Sequence, residues 1–135
     1  MSFDQRVHEA ITLFGRYGHS LQEGWRAFDQ ALTLGAEFGG RYWDRSSDAV
    51  GVAWGWLAAT DDFENASATI DADGDGAPDF DYRANGAEQV MEIYYRWQLH
   101  SQFDISPDFQ IVHNPGANDD AELMKIVGVR VKAAF

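Results

Sequence analysis

From Glu88 to Leu99 the chain alternates: Met91, Ile93, Tyr95, Trp97 and Leu99 fall on one side, and Glu88, Glu92, Tyr94, Arg96 and Gln98 on the other, with only Val90 out of place. Wound into a helix, these polar residues would scatter around the cylinder, whereas a strand separates them onto one face. The pattern repeats with Phe103, Ile105, Pro107, Phe109 and Ile111 against Asp104, Ser106, Asp108 and Gln110. From Leu123 to Phe135 it sets Val127, Val129, Val131, Ala133 and Phe135 against Gly128, Arg130 and Lys132. Upstream, Ile11, Leu13 and Tyr17 oppose Thr12, Phe14 and Arg16. Leu32, Leu34, Ala36 and Phe38 oppose Thr33, Gly35 and Glu37, and Val50, Val52, Trp54 and Trp56 oppose Gly51, Ala53 and Gly55. About six strands with two unlike faces are predicted.

The connections alternate in length. His19 to Ala27, Asp61 to Ala87 and His113 to Ala121 are long and polar, and the stretch Ala66 to Gly86 reads as linker-like. Arg45-Ser-Ser-Asp48 and His100-Ser-Gln102 read as short turns. Long loops at one end and short turns at the other are the asymmetry of a transmembrane β-barrel. Pro107, which has no N–H to give a ladder, predicts a local break, bulge or edge. The expected fold is therefore all-β and antiparallel: the strands of a transmembrane barrel forming an incomplete, open sheet.

Composition narrows the reading. Hydrophobic residues make up 45% and aromatics 14% of 135 residues, too much for a disordered segment. The net charge is -12 and the ten Lys and Arg do not cluster, which argues against a nucleic-acid partner. Without cysteine there is neither a disulfide framework nor a thiolate metal site. No apolar run approaches the ~18 residues of a spanning helix, so a membrane role has to come through strands. Met1-Ser-Phe-Asp-Gln-Arg is no signal peptide, so for an exported protein the leader is expected upstream.

Ala87-Glu-Gln-Val-Met-Glu-Ile-Tyr-Tyr-Arg-Trp-Gln-Leu99 and Ile105-Ser-Pro-Asp-Phe-Gln-Ile-Val-His-Asn-Pro-Gly116 resemble the end of OprB-type carbohydrate-selective porins. The likeness runs on through Val127-Gly-Val-Arg-Val131 to Phe135. It extends more loosely to Leu13-Phe-Gly-Arg-Tyr-Gly18, Gly39-Gly-Arg41 and Asp48-Ala-Val-Gly-Val-Ala53. The resemblance implies a barrel of about 16 strands, of which residues 1–135 are the C-terminal segment, in the bacterial outer membrane. It also implies passive diffusion of carbohydrates or small solutes, with no enzymatic step. About six strands are too few to close a channel, so missing N-terminal strands or other subunits are expected partners, beside outer-membrane lipid.

On that reading the polar positions Arg16, Glu37, Glu92, Tyr94, Arg96, Gln98, Gln110, Arg130 and Lys132 line a pore, where hydrogen-bonding groups and rings suit sugars; any water-filled pore also needs a polar wall. Trp54, Trp56, Tyr95, Trp97 and Phe135 belong to aromatic belts at the membrane interfaces. Asp71, Asp73, Asp75 and Asp79 stand at the first, third, fifth and ninth positions of a calcium loop with Gly76 at the sixth, but Tyr82 replaces the acid at the twelfth. The alternatives are a bound Ca2+ and a solvated acidic loop; no other cofactor is expected. His8, His19, His100 and His113 lack ligand spacing. Asp61, Asp62, Glu92 and Asp108 are explained by loop and wall positions without glycosidase chemistry. The competing reading is a soluble all-β calcium- or carbohydrate-binding module.

Overall fold

A computed structural model describes residues 1–20 and 26–134. They form seven strands: β1 (Ser2–His8), β2 (Ile11–His19), β3 (Phe28–Gly39), β4 (Ala49–Ala59), β5 (Ala87–His100), β6 (Phe103–His113) and β7 (Met124–Ala133). Every strand pairs antiparallel with its neighbour in sequence, so the sheet order is the chain order and β1 and β7 are its two edges. Six of the strands follow the alternation; β1 is additional. On β1, Gln5 shares a face with Phe3 and the register shifts between Arg6 and His8, which hides the period over so short a run.

The register turns alternation within each strand into two continuous faces, because directly opposed residues point the same way. One cross-strand row on the polar side reads Thr12, Glu37, Gly51, Tyr94, Asp108, Gly128; the next reads Asp4, Phe14, Gly35, Ala53, Glu92, Gln110, Ile126. A row on the apolar side reads Leu13, Ala36, Val52, Ile93, Phe109, Val127. Pro107 still opposes Val129 on β7, but the pairing between β5 and β6 skips from Tyr94–Asp108 to Trp97–Ile105. The expected break is therefore confined to the β5 side.

The apolar face is open to its surroundings. Met91 is 61% exposed, Ile93 49% and Val127 80%, with Leu13, Leu34, Val52 and Phe109 also exposed. Among the described residues the buried apolar side chains are Ala49, Phe63, Ala84, Val112 and Ala117, too few for a core under a sheet of this size. Aromatic rings stand at two levels of this face. Tyr17 and Trp56 share a row towards the long loops with Trp54 one step in, while Tyr95 and Trp97 stand towards the short turns. Phe135 and residues 21–25 of the His19–Ala27 loop lie outside the described residues.

A small core sits in the long loops instead. The β4–β5 connection begins with helix α1 (Asp61–Ala66), capped by Thr60 Oγ1, which accepts the Phe63 N–H at 3.1 Å. Phe63 packs with Ala84 of the same loop and Ala117 of the β6–β7 loop, and Phe28, Ala59, Ile70, Phe80 and Tyr82 close around them. The stretch that reads as a linker in the sequence is thus folded. Asn85 N–H donates to the Ala117 carbonyl and Tyr82 Oη to the Gly116 carbonyl, tying two long loops together.

At the opposite end the β3–β4 connection is longer than Arg45–Asp48, because a 3₁₀ turn (Gly40–Trp43) precedes it and Asp44 adopts a left-handed conformation. The side chain of Asp48 is almost fully buried. It accepts from Arg45, from Tyr95 Oη and, at 3.1 Å, from the Gln98 N–H. The Arg45 guanidinium beside it holds the Asp48 carboxyl below the usual carboxylate range, against the burial that alone would raise it. Arg45 also sits 5.7 Å from the Trp97 ring centre, and Trp43 Nε1 donates to Tyr95 Oη at 3.2 Å.

Candidate functional site: the polar face of the sheet

All nine polar positions singled out in the sequence lie on one face. Arg16 comes from β2 and Glu37 from β3; Glu92, Tyr94, Arg96 and Gln98 come from β5, Gln110 from β6, and Arg130 and Lys132 from β7. Side chains from separate strands form one connected network. Tyr94 Oη donates to Glu37 Oε2 at 2.8 Å and Arg96 donates to Glu37 Oε1 at 3.3 Å. Arg130 donates to Glu92, and its Nε lies 3.5 Å from Asp108 Oδ2. Gln110 Nε2 donates to Asp108 Oδ1 at 3.0 Å, and the Arg130 guanidinium stands 5.4 Å from the Tyr94 ring centre.

These pairs are partly open to solvent, so each contributes little to stability, and their main effect is to hold long side chains in place. Arg96 is 42% and Arg130 60% exposed, while the Asp108 side chain is 4% exposed. The arginines therefore present donors outward from carboxylates that stay close to the sheet. Arg16, Gln98 and Lys132 share the face outside this network: Arg16 opposes Thr33 and Ser2, and Gln98 and Lys132 flank Asp104. Asp104 Oδ1 is buried with no hydrogen-bond partner among the described residues.

Asp108, which the sequence reads only as a wall position, is not among the nine residues singled out there. Alternation puts it on the polar face, but its role follows from opposing Gly128 on β7 and Tyr94 on β5, a register that no single strand reveals. A Cβ at Gly128 would collide with the Asp108 carboxylate. Glycine therefore leaves the carboxylate room to lie across β7, where Arg130 meets it.

In the acidic loop Asp71, Asp73 and Asp75 bring one carboxylate oxygen each within 4.8 Å of one another. Asp79 is turned to the Ala72 N–H at 2.7 Å, and Tyr82, the twelfth residue, is bound to Gly116. The N–H of Gly76 at 2.9 Å, with those of Gly74 and Asp75, holds the Asp71 carboxyl below its ordinary range. A short helix and a 3₁₀ turn (Ser67–Thr69) precede the loop, and β5 follows it. The carboxylates thus already have backbone donors to satisfy them.

A seven-stranded antiparallel meander with one polar networked face, one exposed apolar face and aromatic rings at two levels of the latter is a section of transmembrane β-barrel wall. No helix among the described residues is long and apolar enough to cross a membrane. The chain belongs to the carbohydrate-selective porin OprB family, whose profile matches residues 1–135. A structure of OprB from Pseudomonas putida at high pH superimposes with a TM-score of 0.74 at 19% identity, over 93% of this chain and 30% of that one. The likeness, at that identity, is one of fold, and the chain spans less than a third of the length of the structure it matches. No curated protein matches the sequence.

Proposed function

We propose that residues 1–135 form the C-terminal segment of an outer-membrane porin wall, along which carbohydrates and similarly small polar solutes diffuse passively. The observation that carries this reading is the two-faced sheet: nine polar side chains converge on one face while the other exposes Met91, Ile93 and Val127, which lipid would cover. The polar face then lines the lumen, with Arg96 and Arg130 as charged donors to sugar hydroxyls and Glu37, Glu92 and Asp108 as the groups that orient them. Passage needs no cofactor and makes no covalent bond. Strands from elsewhere, whether on the same polypeptide or on other subunits, complete the barrel, because both edges of this sheet are unpaired among the described residues.

A soluble all-β binding module would need its large exposed apolar face covered, and the buried apolar cluster seen among the described residues lies in the loops. The two readings separate on a gel. The complete gene product, extracted in mild detergent, should migrate faster unheated than boiled and should make liposomes permeable to glucose. Identical mobility together with impermeable liposomes would reject the porin reading.

A further inference from the structure

The ion pair of the β3–β4 turn stands on the apolar side of the sheet. Ala49 opposes Arg96 on the polar side and Val50 opposes Tyr95 on the apolar side, so Asp48, one residue before Ala49, falls with Val50, Tyr95 and Trp97. Its carboxylate accepts from Tyr95 Oη and from Arg45, and the Arg45 guanidinium lies over the Trp97 ring. From Trp97 the same cross-strand row runs on through Ile105 to Val131, which is 61% exposed. A charged pair thus stands among aromatic rings, at the end of the face that lipid would cover.

The two charges are not placed alike. The Asp48 side chain is 1% exposed and is satisfied by Arg45, Tyr95 and the Gln98 N–H, whereas the Arg45 side chain is 48% exposed. Against a net charge of -12 for the chain, the outer charge of this pair is positive. Arg45 gives Nε to Asp48, and Tyr95 is the other group near its charge, so most of the guanidinium N–H fork has no protein acceptor among the described residues. Such a fork matches two oxygens of one phosphate, and the ring beside it lowers its exposure to water. A free phosphate ion would make no use of the apolar row next to it. A phospholipid would use both, because its phosphate sits at the level where interfacial aromatic rings stand and its acyl chains run along the apolar surface.

We propose that Arg45, backed by Trp97 and held by Asp48, binds the phosphodiester of a phospholipid in the leaflet on the short-turn side, with the acyl chains against Trp97, Ile105 and Val131. The proposal rests on the apolar face being the lipid face. Asp48 is then a positioning residue that fixes where the guanidinium points.

The test titrates the complete gene product in dodecyl maltoside with dioleoyl-phosphatidylglycerol, with dioleoylglycerol, which lacks the phosphate, and with inorganic phosphate. The readout is the temperature at which the heat-modifiable form is lost. Phosphatidylglycerol should raise it by several degrees, as a ligand of the folded form does, and neither control should. Arg45→Gln should cut that rise by about half or more. Because losing Arg45 also weakens the turn, wild type is labelled in parallel, in mixed micelles, with a phospholipid carrying a photoreactive diazirine beside its phosphate. Adducts should concentrate on residues 40–48 and be competed by phosphatidylglycerol but not by dioleoylglycerol. A rise kept in full by Arg45→Gln, a rise matched by dioleoylglycerol or by inorganic phosphate, or adducts spread evenly over the apolar face would overturn the lipid site and leave the porin reading intact. If wild type has no heat-modifiable form at all, both fail together.

Discussion

At the scale of single residues, Asp48 illustrates how a turn can depend on one carboxylate. It joins the β3–β4 connection to β5 through Tyr95 and the Gln98 N–H, and is balanced by Arg45. Its folded pKa is depressed, so its stabilisation is fully present above the unfolded value of about 3.9 and disappears as pH falls through the lower folded value. Asp48→Asn keeps an acceptor but loses the charge-assisted bonds, and should cost about 1–3 kcal/mol at pH 7. Measured as the temperature at which heat-modifiable mobility is lost, the gap between wild type and variant should be widest near neutrality and should narrow as pH falls below the unfolded value of about 3.9. A gap that stays constant down to pH 2 would show that the charge of Asp48 contributes nothing. Neither this latch nor the Asp108–Arg130 contact was legible in the sequence, because both join residues whose proximity depends on register rather than on spacing along the chain.

At the scale of elements, what alternation predicts is what the sheet contains, strand by strand, wherever a run is long enough for its period to show. β5 is the clearest example, and it yields a direct test because the chain has no native cysteine. Single cysteines from position 91 to 98 should divide by parity. Positions 92, 94, 96 and 98 should react with a water-soluble maleimide, whereas fluorophores at 91, 93, 95 and 97 should be quenched from within the bilayer. Reaction without parity would mean that β5 does not separate water from lipid. Sequence reasoning did less well at both extremes of length. β1 is short and carries Gln5 among its apolar positions. The β4–β5 loop packs Phe63, Ile70, Phe80 and Tyr82 at intervals that follow neither the strand nor the helix period. Such loops fold around whichever apolar groups other loops bring to them, here Ala117 and Phe28. Periodicity carries no trace of such an encounter.

At the scale of the whole molecule, the sheet has one face suited to lipid, one suited to water, and two edges that are unpaired among the described residues. Backbone groups left unpaired in hydrocarbon cost several kcal/mol each, and flat edges in water invite pairing with other chains. The isolated 135-residue chain should therefore aggregate when detergent is removed, which light scattering during dialysis would register. A stable monodisperse monomer in plain buffer would contradict the assignment of Met91, Ile93 and Val127 to a lipid-facing surface.

The order of the strands also restricts what can complete them. Seven strands joined only by antiparallel steps leave β1 and β7 pointing in the same direction. If the sheet curled on itself, or if identical copies joined edge to edge in a ring, each seam would bring two parallel strands together. An antiparallel closure needs an odd number of strands inserted between β7 and β1, so that each edge meets a neighbour running against it. The even strand totals of bacterial single-chain barrels follow the same arithmetic. Copies of this sheet alone thus cannot supply an antiparallel seam; for such a seam the complement would be a different set of strands, odd in number.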